Sequence, residues 1–307
     1  MIAPGGAWWQ CGRPWRPADG DHRTGGAPLP GPPAGDHYGE QVLAVSHATS
    51  GAALGLAVAG FAPRVADVHP SPGSVLTFAA VCAGAALLPD LDHPSSTATR
   101  RFSVFSWLAC HAVRPLSAVI FDLTRGRRDH GKGTHRGLTH TAVGAVLLGL
   151  AVNLASAAWG EPVLLATLFV CIALAIKGLD ALVPGPPSLV IAAGLTYAVQ
   201  EWVPGGTAGT AGWLGTAVTL GMVVHSVGDA VTESGAPLLW PVPIRGRTWY
   251  PVGGPRVTRF RTGGAVESWL VAPALTVGTL VLAVLVIPGV LPVFLAVRDQ
   301  VQRLLGA

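Results

Sequence analysis

The chain has 307 residues, of which 50% are hydrophobic and only 12% charged, with a mean hydropathy of +0.50. That is more apolar surface than one soluble core of this length hides, so a bilayer has to act as part of the solvent and a wholly soluble fold is excluded. The net charge of +4 argues little for nucleic acid, because basic loops are the ordinary state of a membrane protein.

Residues 1–40 are rich in Gly and Pro, carry Trp8, Trp9 and Trp15, and contain no continuous apolar stretch of signal-peptide type. They read as a disordered tail, or as an over-extended gene start, ahead of the first membrane-like pattern near Val42. From there, apolar runs fall at 42–62, 74–88, 141–158, 163–183, 187–203, 213–231 and 268–297. Each is close to the roughly 20 residues that an α-helix needs to cross about 30 Å of hydrocarbon. The expected fold class is therefore all-α, a polytopic helical membrane protein with about 6–8 spans. The membrane domain is expected over 41–241, followed by a basic loop and a C-terminal membrane helix over 242–307.

One segment departs from this pattern. Residues 102–123 are apolar but interrupted by His111, Arg114 and Pro115. A crossing there would move Asp90 to the face opposite His140, so an interfacial or re-entrant helix is expected instead. The basic residues collect in two segments, Arg100 to Arg136 and Arg245 to Arg261, separated by four proposed spans and hence on one side. The turns near Gly160 and Gly205 contain no Lys or Arg, and this asymmetry assigns both basic segments to the cytoplasm. Cys11, Cys82, Cys110 and Cys171 are scattered without C-x-x-C spacing, so neither a thiolate zinc site nor a disulfide framework is implied.

Four motifs carry chemistry. The string Pro89-Asp90-Leu91-Asp92-His93-Pro94 puts two carboxylates and an imidazole at the mouth of a membrane helix, where desolvation is costly unless a cation compensates them. A divalent metal is such a cation, and a solvated, Pro-bounded turn is the plainer alternative. In His135-Arg136-Gly137-Leu138-Thr139-His140-Thr141, Thr139 is expected as a helix N-cap, with Gly137 letting the loop fold back. His225 and Asp229 stand four residues apart on one helical face, within reach of a single ion or of a plain hydrogen bond, and Glu233 is expected to continue that stripe. His47 is the lone ionisable residue between Glu40 and Arg64, a packing residue when taken alone. With the chain entering from the cytoplasm, His47, Asp90, His140 and Asp229 all reach one membrane boundary. Such convergence of His and Asp is what a metal site requires.

His47, PDLDHP (89–94), HRGLTHT (135–141) and HSVGDAVTESGAPLLWP (225–241) together resemble the bacterial inner-membrane metal-dependent hydrolase family, also called YdjM-like. The resemblance spans roughly residues 47–241. That family is in turn distantly similar to zinc-dependent phospholipase C and single-strand nucleases, which gather His and Asp ligands from several helices around zinc. The resemblance implies an inner-membrane location and metal ligands at His47, Asp90, His135, His140, His225 and Asp229, with Asp92 and His93 as supporting or alternative ligands. It also implies zinc, or alternatively manganese, and hydrolysis of a phosphoester by metal-activated water. The expected catalytic residues are Asp92 and Arg136, the latter holding a phosphate oxygen through its planar fork or serving only as a positive-inside anchor. The expected partners are the lipid bilayer and a phospholipid or other phosphoester substrate. A transporter and a non-catalytic metal-binding membrane protein are the alternatives. Lys177 and Asp180, three apart within a span, are the one pair that a transporter would use, and a snorkelling ion pair also explains them.

Overall fold

The computed structural model describes residues 35–92, 104–131, 133, 134, 136–179, 187–255 and 259–305. Among them the regular structure is helical, with only isolated β-bridges such as Ala236 with Val252. The helices are α1 (Gly35–Phe61), α2 (Pro72–Ala85), α3 (Val104–Thr124), α4 (Ala142–Trp159), α5 (Glu161–Gly178), α6 (Pro187–Trp202), α7 (Leu214–Ala230), α8 (Ala272–Val286) and α9 (Val290–Leu305). The chain is thus an all-helical, polytopic membrane protein.

The centre of the bundle is α2, against which α1, α5 and α7 pack. Ser71 starts it, accepting a hydrogen bond from the Ser74 backbone N–H, and Pro72 takes a first-turn position where no N–H is needed. Small residues let neighbouring backbones come close: a side chain at Gly55 of α1 would meet Ala79 Cα of α2 at 2.7 Å, and one at Gly221 of α7 would meet the Ala85 side chain at 2.6 Å. Helix association inside a bilayer depends on such approach, because lipid tails are as apolar as the side chains themselves. The larger core residues include Phe78, Leu168 and Trp213, the Phe78 and Trp213 rings lying 5.4 Å apart.

Five helical stretches among the described residues are long and apolar enough to cross a membrane: Ala44–Phe61, Pro72–Asp92, Ala142–Trp159, Glu161–Gly178 and Glu267–Val286. This is fewer than the six to eight expected. Helices α6 and α7, at 16 and 17 residues, extend only about 24–26 Å, short of the hydrocarbon thickness. The expected run 268–297 is not one span either, since Pro288 and the positive φ of Gly289 (84°) separate α8 from α9. Helix α1 begins at Gly35, inside the segment read as tail. Helix α3 is not among the five.

Candidate metal centre

The C-terminal ends of α2 and α7, the N-terminal end of α4 and the N-terminal half of α1 meet at one end of the bundle. After α2 the chain tightens into a 3-10 turn, Pro89–Asp92, which supplies Asp90 and Asp92. A second 3-10 turn, Leu138–His140, leads into α4 and supplies His140. Helix α7 supplies His225 and Asp229, and α1 supplies His47. The expected N-cap is corrected by two residues: Thr141, not Thr139, caps α4 by accepting from the Gly144 N–H at 2.8 Å. Thr139 instead donates its hydroxyl to Asp92 Oδ2 at 2.9 Å. A side chain at Gly137 would strike Ser117 Oγ and Gly133 O, so the loop passes close to α3 there.

The ring nitrogens can be assigned from their neighbours. Ala86 O can only accept, so His225 Nδ1, 2.7 Å away, is the donor, and Nε2 of the neutral ring carries a lone pair. His140 Nδ1 faces the Thr139 hydroxyl oxygen at 3.1 Å and Asp92 Oδ2 at 3.5 Å, so its proton lies on that side. His140 Nε2 then points at His225 Nε2, 3.3 Å away. Two lone pairs facing each other at this distance repel unless a proton or a metal cation lies between them. Burial works against charging His140, but the hydrogen bond and charge of Asp92, with Asp229 and Asp90 beyond, outweigh it and hold its pKa above the usual histidine value.

Asp229 closes the ring. Its Oδ2 lies 3.5 Å from His140 Nε2 and 3.8 Å from His225 Nε2, and its Oδ1 lies 3.6 Å from His47 Nε2. Asp90 Oδ1 is 3.7 Å from His225 Nε2. The His47 and His225 rings stack with centroids 3.9 Å apart, and His47 Nε2 is buried without a hydrogen-bond partner. Two overlapping groups, His47–His225–Asp229 and Asp90–His140–His225, each bring their donor atoms within 4.8 Å of one another. Ligand atoms around a tetrahedral zinc at 2.0–2.1 Å stand roughly 3.3 Å apart, so these spacings are compatible with an ion and, between His140 and His225, also with a hydrogen bond. The donor set of imidazole nitrogens and carboxylate oxygens suits zinc or manganese. Buried donors of this kind, with an orphaned ring nitrogen among them, fit a cation.

The remaining expected residues divide. Asp92 Oδ2 lies 3.5 Å from the outer nitrogen of His140, and its backbone carbonyl accepts from Arg114 Nη1 at 3.2 Å, so it braces His140. Arg136, held at a positive φ of 50°, pairs with Asp229 Oδ2 at 3.2 Å and donates to Gly235 O at 2.6 Å. Its half-buried side chain and Asp90, 18% exposed, form the open edge of an otherwise closed site. Glu233 does not continue the stripe, because α7 ends at Ala230, Thr232 Oγ1 donates back to Asp229 O at 2.8 Å, and Glu233 faces solvent. His93, His135 and Asp180 lie outside the described residues, while Lys177 is buried near the end of α5. Sequence reasoning missed Thr139 as a donor to Asp92 and Arg114 as a brace for its backbone. The interruption of an apolar helix by Arg114 was the only signal available.

A family model described as YdjM inner membrane protein matches residues 42–291, and the chain belongs to that family. No curated protein and no solved structure matches the chain.

Proposed function

We propose that this chain is a metal-dependent hydrolase embedded in the inner membrane, with its site on the cytoplasmic boundary and a phosphoester or other membrane-delivered substrate. The observation that supports this reading is the meeting of His140 Nε2, His225 Nε2 and Asp229 Oδ2, from sequence-distant motifs, within 3.3–3.8 Å of one another. His47, Asp90, His140, His225 and Asp229 would hold zinc or manganese, with His135 an expected member. A divalent ion supplies a Lewis acid and lowers the pKa of water toward neutrality. The chain's own groups do the rest. Asp92 and the Ala86 carbonyl fix the tautomers of His140 and His225, which is a positioning role. Arg136 orients Asp229 and, at the open edge, offers N–H groups for an anionic oxygen. Burial keeps bulk water away from most of the ring, which strengthens each electrostatic contact inside it.

The test is metal analysis of the purified full chain, followed by turnover of a chromogenic phosphodiester. Bound zinc or manganese together with turnover is the expected result. Metal without turnover returns the chain to a binding role, and metal-dependent flux in sealed vesicles makes it a transporter. The cytoplasmic assignment is checked separately, with Ser234→Cys in a Cys11→Ser background. Cys82, Cys110 and Cys171 are buried, so an impermeant thiol reagent should label this chain only after the cell membrane is opened.

A further inference from the structure

Helix α3 has two unlike faces. Cys110, Ser117 and Phe121 are buried against the loops of the metal centre, and Ser117 Oγ both accepts from the Leu138 N–H and donates to Gly133 O. The other face exposes Leu116 (55%), Val119 (55%) and Leu123 (79%), spaced three and four residues apart along one stripe. At its C-terminal end Thr124 Oγ1 accepts indole N–H groups from both Trp240 (3.2 Å) and Trp249 (3.0 Å). That bond brings up the 239–247 loop, which adds exposed Leu239, Val242 and Ile244. Next to these apolar residues stand the exposed Arg125, Arg127, Arg128 and Arg245, the Arg128 N–H reaching Gly246 O at 3.2 Å. Of the acids here, Asp122 pairs with Arg125 at 3.7 Å and Asp129 is buried.

We propose that α3 and the 239–247 loop form one docking surface for anionic phospholipid headgroups, with the apolar stripe dipping below the headgroups and the arginines meeting their phosphates. Exposed apolar side chains beside an arginine-rich rim, in which Arg127, Arg128 and Arg245 outnumber the Asp122–Arg125 pair, are what an in-plane anchor presents, and the five candidate spans hold this surface within reach of the bilayer. A protein partner would cover the same apolar residues, but charge complementarity favours the anionic lipid. Because the buried face of α3 carries Ser117 and the Arg114 bond to Asp92 O, a lipid held on the outer face lies one helix thickness from the metal centre. The proposal stands whether or not the site is hydrolytic.

The experiment places an environment-sensitive fluorophore at Val119→Cys or Val242→Cys in the Cys11→Ser full chain. The protein is reconstituted in nanodiscs of phosphatidylcholine alone or mixed with phosphatidylglycerol, containing shallow or deep lipid quenchers. The expected result is a blue-shifted emission that grows with phosphatidylglycerol, is quenched by the shallow quencher, and fades in high salt, where the Debye length falls to about 3 Å. Each arginine removed should weaken the anionic-lipid response about fivefold, so Arg127→Gln with Arg128→Gln and Arg245→Gln should nearly abolish it, while the triple Lys variant keeps it. Water-like emission in every lipid mixture overturns the proposal in favour of a cytosolic or protein-covered surface. Strong deep quenching that ignores phosphatidylglycerol and the arginines overturns it in favour of a spanning α3.

Discussion

Two buried aspartates in this molecule sit in opposite circumstances. Asp129 Oδ2 is saturated by donors, the N–H groups of Gly126 (2.8 Å), Thr248 (2.9 Å) and Trp249 (3.1 Å) and the hydroxyl of Thr248 (2.8 Å). Burial would raise its pKa, but these hydrogen bonds from Thr248, Trp249 and Gly126 outweigh it and hold the carboxyl below the usual carboxylate range. Asp229 instead looks at three imidazoles across 3.5–3.8 Å, with Arg136 closer at 3.2 Å. Asp129, which ties two loops together, has Oδ2 filled at hydrogen-bond distance by backbone and hydroxyl donors, while its Oδ1 lies 3.7 Å from Arg247 Nε. A carboxylate surrounded at a slightly longer distance by acceptor nitrogens has room for a cation. The contrast lies in the partners: Asp129 meets backbone and hydroxyl donors, whereas Asp229 meets imidazoles and one guanidinium.

Removing the donors from the second environment should give the largest effect. Asp229→Ala and His225→Ala should each release bound metal and abolish turnover, and the double variant should add little, because one incomplete shell already loses the ion. Metal content measured on all three proteins decides this. Retention of metal in both single variants would reduce the cluster to a structural network and remove the difference between Asp229 and Asp129.

A step outward, Asp92→Asn and Thr139→Val should weaken metal affinity by about 10–100-fold, the usual cost of losing an outer partner of a ligating histidine. Competition with a chelator gives the affinity. Unchanged affinity in both would mean that His140 is oriented by its burial alone.

How much of this was visible beforehand varies with the kind of contact. His225 and Asp229 were paired by the period of one helix, and the convergence of His47, Asp90, His140 and Asp229 followed from counting spans. Both are properties of regular structure, which repeats along the chain. Thr139 was assigned the cap that Thr141 takes, because two threonines two residues apart offer the same chemistry and only the tertiary position of Asp92 distinguishes them. The Asp129 clasp joins residues about 120 apart through irregular loops, where no period links the partners. The break at Pro288 and Gly289 lies inside a continuous apolar run, where hydropathy passes over it, although the Pro-Gly pair is itself a readable turn signal.

The clasp predicts a smaller and purely local change. Asp129→Asn replaces an all-acceptor carboxylate with a group that points N–H atoms at some of its donors, costing about 1–3 kcal/mol locally. Proteolysis of the 125–131 and 244–250 loops should quicken while metal content stays. The pH dependence follows the same contact. Because the folded pKa is depressed, the stabilisation is complete above the unfolded value near 3.9 and is lost only as pH falls through the lower folded one. Loops of the unsubstituted chain should therefore keep their protection from pH 7 down to about 5.

The smallest effect is expected at Glu233. By spacing alone it belongs with His225 and Asp229, yet α7 stops at Ala230, and the Glu233 N–H donates to Phe260 O at 3.2 Å while its side chain faces solvent. The carboxylate is thus separated from the ring by the turn that Thr232 folds onto Asp229. Glu233→Ala should leave metal content and turnover within experimental scatter, which makes it the internal control for Asp229→Ala at nearly the same point in the chain. Loss of turnover with metal retained would mean that the turn opens and delivers Glu233 as a general base. The end of α7 would then be a moving part, and the partners of Asp129 and Asp229 at rest would no longer suffice to mark where the chemistry lies.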